Sequence, residues 1–230
     1  KYLFSVRDVT NVNSDASIFV LAQAGEETTS EVTHSIRYDR RDSRLNPREG
    51  YYVSLSNSLA GLGGTSNYLQ NTVRGGYYHP FTDTVVLSVG GKVGSIIGLG
   101  EDVGLLDRFY IGGSDLRGFA TSGVGPRDTS TGDALGGEWM YVGSIELKVP
   151  VGLPEELGVG GRIFTDFGST GKLSDSSSVV EDTKSLRASV GAGITWLSPL
   201  GPMGVDFGVP VKKETFDITE TVRVNFGTRF

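Results

Sequence analysis

Side chains able to do covalent or metal chemistry are scarce in this chain. It has no cysteine and only two histidines, His34 and His79, so thiol nucleophiles, thiolate zinc sites and disulfide frameworks are excluded together. His34 shares strand parity with Val32 and Ile36, and His79 precedes Pro80 at a turn. Neither is spaced with a serine and a carboxylate as a hydrolytic triad requires. No residues stand at metal-ligand spacing, and the acidic run from Asp128 to Asp133 lacks the order of an EF-hand and reads as solvated loop. The glycine-rich runs at 61–64 and 112–113 open no helix and carry no Lys-Ser or Lys-Thr, which makes them turns rather than phosphate cradles. Neither cofactor nor metal is implied.

The chemistry that remains is ionic. Arg117 lies in the middle of the segment 98–138, far too long to be a mere connector. Glu146 alternates with Ile145 and Leu147, and Asp166 with Ile163 and Phe167, so on adjacent strands both carboxylates face the same polar side. A planar guanidinium takes a carboxylate through two parallel N–H bonds, which an ammonium does not. Two arrangements fit equally well at this point: Arg117 folded inward and latched by Glu146 and Asp166, or three separate charges solvated in a wet channel.

Strands must position these groups. Period two runs along almost the whole chain, and the helical i, i+3, i+4 spacing hardly appears. The alternation predicts ten strands, at 2–9, 30–40, 51–60, 68–79, 84–97, 139–149, 158–168, 186–197, 203–211 and 220–230. Most are about twice as long as a globular strand, enough when tilted to cross the apolar slab of a membrane, roughly 25 Å. The expected fold is all-β, a transmembrane antiparallel barrel forming a single domain over 1–230, with 98–138 as its long loop.

A soluble sandwich has the same alternation, and three features weigh against it. The polar face is rich in Gly, Ser and Arg, which suits a crowded lumen. Tyr2, Tyr51, Tyr77, Trp139, Phe167, Trp196 and Phe230 fall on the apolar face near strand ends, as an interfacial girdle requires. Compact turns at 41–50, 80–83, 150–157 and 198–202 alternate with the long segments 10–29, 98–138 and 169–185. The 34 glycines among 230 residues, about twice the usual share, are divided among inner walls, turns and the long loop. A mean hydropathy of −0.11 is the average of a greasy face and a polar one, and no apolar run is long enough for a spanning helix. The chain opens at Lys1 with neither Met nor leader, the mark of a piece of something longer. With 27 acidic against 21 basic residues and no long block of either sign, nucleic acid is excluded as a partner.

The stretch from Phe109 to Phe119, containing Leu116, Arg117, Gly118 and Phe119, is followed by Gly125, Pro126, Arg127 and Asp128 and then by Gly136 and Gly137. It resembles the long loop of the BamA family of outer-membrane assembly factors. Downstream features agree in order: Ser144 to Glu146, Phe164 to Gly168, Ser198 to Pro202, and a terminal strand that alternates Val222, Val224 and Phe226, continues through Gly227 and ends in Phe230. The turn from Asp39 to Gly50 is similar to a family turn between barrel strands, and Gly125 to Asp128 and the last six residues look closest to alphaproteobacterial members.

The resemblance implies a barrel of sixteen strands preceded by periplasmic POTRA domains, with this chain as its C-terminal ten strands; ten strands could also close on themselves. It implies a bacterial outer-membrane location, in contact with the lipid bilayer, and assembly of nascent β-barrel clients by strand templating at a lateral gate, in company with lipoproteins. It implies that the loop 98–138 folds into the lumen, that its arginine, here Arg117, is held by Glu146 and Asp166, and that the terminal strand carries a β-signal. The alternatives are a polypeptide-secreting transporter of the same superfamily and a passive pore. No enzyme activity is expected.

Overall fold

The computed structural model describes residues 1–172, 179–198 and 201–226. Ten strands form one antiparallel sheet in chain order. They are β1 (Tyr2–Val9), β2 (Gly25–Asp39), β3 (Gly50–Ala60), β4 (Tyr68–Pro80), β5 (Val86–Gly98), β6 (Trp139–Val149), β7 (Val159–Gly171), β8 (Arg187–Ser198), β9 (Gly201–Lys212) and β10 (Val222–Phe226). Each strand turns back beside its predecessor, the up-and-down arrangement of barrel walls. Among the described residues no ladder joins β1 to β10.

The two faces differ as alternation requires. On β1, Tyr2, Phe4 and Val6 are exposed, and on β8 so are Val190, Ile194 and Trp196, whereas Arg187 and Ser189 are buried on the opposite side. The inner face is covered by the segment 99–138. Ile96, Met140 and Val142 of the wall pack there with Phe109, Ile111, Leu116, Phe119 and Val124 of the segment. The core therefore lies between one sheet and one loop, not between two sheets, and a soluble sandwich is ruled out. The apolar outer face is left to lipid. Among the described residues no helix is long and apolar enough to cross a membrane, and it is strands that cross here.

Several expected boundaries move. β2 starts at Gly25 rather than 30, because β1 offers pairing partners as far as Val9 opposite Gly25. The connection that remains holds one helical turn, α1 (Ile18–Leu21), whose first turn is capped by Ser17 accepting from the Phe19 N–H. β5 begins at Val86 rather than 84. β7 continues to Gly171, so Phe167 is not at a strand end. Its ring lies over Gly143, where a Cβ would stand 2.3 Å from Cζ of Phe167, and it fills the outer wall instead of marking the interface. Tyr2, Tyr51, Tyr77 and Trp196 are exposed near strand ends, and Trp139 opens β6. The last strand begins at Val222, not 220, because Thr219 and Glu220 pair with the inner loop. The expected positions Gly227 and Phe230 lie outside the described residues.

The inner loop and its ion pairs as candidate functional site

Leu116 and Phe119 are fully buried on either side of Arg117 and Gly118, so the apex of the loop is driven against the wall by apolar burial. Gly118 has φ +91°, and a Cβ there would meet the Ser189 side chain at 3.0 Å. Across from it a Cβ on Gly208 would stand 2.6 Å from the Gly118 nitrogen. Loop and β9 thus touch backbone to backbone, which only two glycines permit.

That contact sets Arg117 among carboxylates. Its Nε donates to Asp166 Oδ2 at 2.7 Å and its Nη2 to Asp166 Oδ1 at 2.8 Å, a two-pronged pair. Its Nη1 donates to Glu146 Oε2 at 2.8 Å and its backbone N–H to Asp166 Oδ2 at 3.1 Å. Ser144 Oγ accepts from Nη2 at 3.1 Å and donates to Asp166 Oδ1 at 2.6 Å. The guanidinium carbon lies 3.3 Å from the centre of the Phe164 ring, a cation–π contact. The Arg117 side chain is 1% exposed and that of Asp166 0%, which excludes solvated charges. Burial works against the charged guanidinium, but the hydrogen bonds and charge of Asp166, and then Glu146, outweigh it, so its pKa is raised.

The pair belongs to a larger network. Asp206 on β9 lies 3.8 Å from Arg117 Nη1 and takes Nε and Nη2 of Arg162 at 2.7 and 2.8 Å. Asn225 on β10 donates to the same carboxylate at 2.8 Å. A second inner arginine, Arg187, pairs with Asp217 at 3.0 Å, both side chains 0% exposed. Strand parity alone puts Arg162, Arg187 and Asp206 on the polar face. Their partners come from other strands or loops, and neither Arg162 with Asp206 nor Arg187 with Asp217 is expected from sequence.

The loop also seizes the approach to the last strand. Gly118 and Phe119 pair with Glu220 and Thr219. Ala120 N–H donates to Ile218 O, and Ile218 N–H to Gly123 O, both at 2.9 Å. Ser114 reaches Asn225 at 3.0 Å, and Arg223 reaches Thr121 at 3.1 Å. Val222, Val224 and Phe226 of β10 face outward, exposed.

The remaining loop motif is kept apart from this cluster. Arg127 is buried and donates to the carbonyls of Gly132 and Ser122, and burial lowers its pKa. Arg127 and Asp128 pair with Glu181 and Val180, just beyond Gly125 and Pro126. Asp128 is not solvated, as its acidic run implied. Only 3% of it is exposed, because Ser17 and Ser130 hydroxyls donate to it at 2.6 Å each. Those bonds, chiefly from Ser130 and then Ser17, hold its pKa down at about 2.

Long strands with an apolar exterior and a loop packed inside define a transmembrane β-barrel protein. The Omp85 superfamily domain matches residues 2–230, and the chain belongs to that superfamily. It is 34% identical over 231 residues to the outer membrane protein assembly factor BamA of Neorickettsia risticii, covering 100% of this chain and 31% of that protein. The human sorting and assembly machinery component 50 homolog is 28% identical over 240 residues, covering 97% and 50%. The crystal structure of BamA from Haemophilus ducreyi lacking POTRA domains 1-3 superposes with a TM-score of 0.78 at 22% identity, over 86% of this chain and 42% of that one. The chain thus spans about a third to a half of the length of these relatives. Fold and family together place it in the bacterial outer membrane.

Proposed function

We propose that this chain is the barrel part of a non-enzymatic factor that inserts β-barrel proteins into the outer membrane. The observation that carries this reading is the ladder between the inner loop and residues 219–220, flanked by the Ser114–Asn225 and Arg223–Thr121 contacts. Through it the latch on Arg117 sets where β10 lies. Among the described residues β10 pairs on one side, with β9, so its other edge offers unpaired N–H and C=O groups to an added strand. Residues 1–230 act as one barrel unit, 98–138 as its lumen loop, and Val222, Val224 and Phe226, with Gly227 and Phe230, as the terminal signal.

Nascent barrel clients and the lipid bilayer are the partners of this activity, with assembly lipoproteins attending the longer protein. A passive pore fits poorly with a loop whose Leu116 and Phe119 are fully buried against the wall. The test is client folding in liposomes carrying the protein, with and without Arg117→Ala. Acceleration that depends on Arg117 supports insertion. Passage of an unfolded polypeptide without acceleration turns the reading to secretion, and ion conductance with neither turns it to a pore.

A further inference from the structure

The outer face of the sheet lacks side chains at one spot near the end that carries the short turns. Register places Gly75 of β4 directly beside Gly91 of β5, in one row with Val53 of β3 and Gly143 of β6. One row nearer the turns stand Tyr51, Tyr77 and Val89, all exposed on the same face. One row farther away Val73 lies opposite Val93, both exposed as well. The result is an open depression of about 440 Å³ over Gly75 and Gly91. On the β6 side the Phe167 ring, lying over Gly143, bounds it. Its floor is closed by the Tyr52 ring packed behind the wall, where a Cβ on Gly76 would stand 2.6 Å from Tyr52 Cε1.

An apolar dip by itself takes any acyl chain, and it is the charge at its rim that selects. Arg40 follows β2 in the row of Tyr51 and Tyr77, its backbone N–H donating to Tyr51 O at 2.9 Å. Its Nε donates to the Tyr38 hydroxyl at 2.8 Å, and its guanidinium carbon lies 5.6 Å from the centre of that ring. The side chain therefore lies along the outer wall, beside aromatic rings of the kind that mark a membrane–water interface. Neither Nη has a hydrogen-bond or ion-pair partner among the described residues. The adjacent carboxylate is already taken: Asp39 faces the inner side and pairs with Arg37 at 3.1 Å and Arg41 at 3.0 Å. A guanidinium with free N–H groups at this level matches the oxygens of a phosphate.

We propose that this face holds one anionic phospholipid of the leaflet on the short-turn side, its phosphate on the Nη groups of Arg40 and one acyl chain seated in the Gly75–Gly91 depression. The span fits. Gly75 is two strands and one row from Arg40, roughly 12 Å at ordinary strand spacings, within the roughly 15 Å of hydrocarbon in one leaflet. A zwitterionic lipid fills the depression equally well but brings its ammonium toward Arg40, so the guanidinium is what discriminates.

The experiment is native mass spectrometry of the protein in detergent, titrated with phosphatidylglycerol and, separately, with phosphatidylethanolamine of the same acyl chains. The parent should retain one phosphatidylglycerol about fivefold more tightly than phosphatidylethanolamine, the effect of one basic side chain at an anionic surface. Gly75→Leu tests the depression. A Cβ at Gly75 meets only Tyr52 O at 3.5 Å and Val53 Cγ2 at 3.9 Å, ordinary contacts, so the longer side chain extends into the open space and should weaken both lipids alike. Arg40→Gln should abolish the preference and leave weaker, equal binding. Unchanged protease protection of the inner loop reports an intact fold in both variants. Equal retention of the two lipids by the parent, undiminished binding by Gly75→Leu, a preference that survives Arg40→Gln, or a dimer that excludes lipid overturns the proposal.

Discussion

The inner loop is tied to the wall by one arginine at its apex and another at its base, and the two ties are unlike. At the apex, Arg117 leaves the loop for the wall, is 1% exposed, and divides its donors among Asp166, Glu146 and Ser144. At the base, Arg7 leaves β1 for the loop, is 33% exposed, and reaches Asp107 and Glu27 with one nitrogen, while its buried Nε has no hydrogen-bond partner among the described residues. Both are ion pairs. Only the apex has both partners removed from water, so removing either one there strands a fully buried charge. At the base Asp107 is buried too, but Arg7 is partly exposed and water screens its end of the pair. The apex fixes position, and the base can yield.

This contrast is open to breakage, beginning where the effect is largest. Arg117→Ala should cost about 3–5 kcal/mol, because Asp166 is left buried and unpaired. Limited proteolysis should then cut between residues 99 and 138 at sites that are protected in the parent. Equal protection would mean that the apex is no firmer than the base. Asp206→Asn should cost less, about 1.5–3 kcal/mol, the worth of hydrogen bonds to a charged group. Its distinguishing sign is faster amide exchange in β10, since Asn225 and Arg162 both lean on that carboxylate. Loosening of the loop with β10 unaffected would separate the latch from the last strand.

Acid should act next, through Asp128. Its folded pKa of about 2 lies below the ordinary aspartate value of about 3.9, so its contribution is complete above the latter. That contribution is lost as pH falls toward and through about 2. In Asp128→Asn, loop protection should lose this part of its acid dependence, as read by proteolysis with an acid-stable protease. An unchanged profile would assign the acid response elsewhere. Arg7→Ala should cost less than Arg117→Ala, about 1–2 kcal/mol, because Arg7 itself is partly in water although Asp107 is not, measured as a shift in thermal midpoint. A loss as large as that for Arg117→Ala would erase the distinction between the two ties.

Strand parity made much of this molecule readable in advance. Alternation through Ile145, Glu146 and Leu147, or through Leu186, Arg187 and Ala188, says which side of a wall each residue occupies, because the period of a strand is local. What strand parity cannot say is which distant residue completes a pair. Arg162 and Asp206 are both on the legible face, but their meeting depends on a strand lying between them. Asp217 and Ser17 come from connections, where no period operates. Strand ends are hidden for a related reason: β2 reaches back to Gly25 because β1 is there to pair with it, and Thr219 and Glu220 leave the sheet because the loop competes for them. Asp128 looked solvated since its neighbours are polar, and only the fold brings the Ser17 hydroxyl to it.

The glycine-to-glycine contact between Gly118 and Gly208 has a consequence for specificity of position. Along the inner side of β9 the positions two residues away are Asp206, a side chain already engaged, and Pro210, a ring. A loop displaced by one repeat of the strand would collide with one of them. The seat therefore has a single address on the wall, and the apex has no neighbouring stop at which to rest: it is either docked at that height or released.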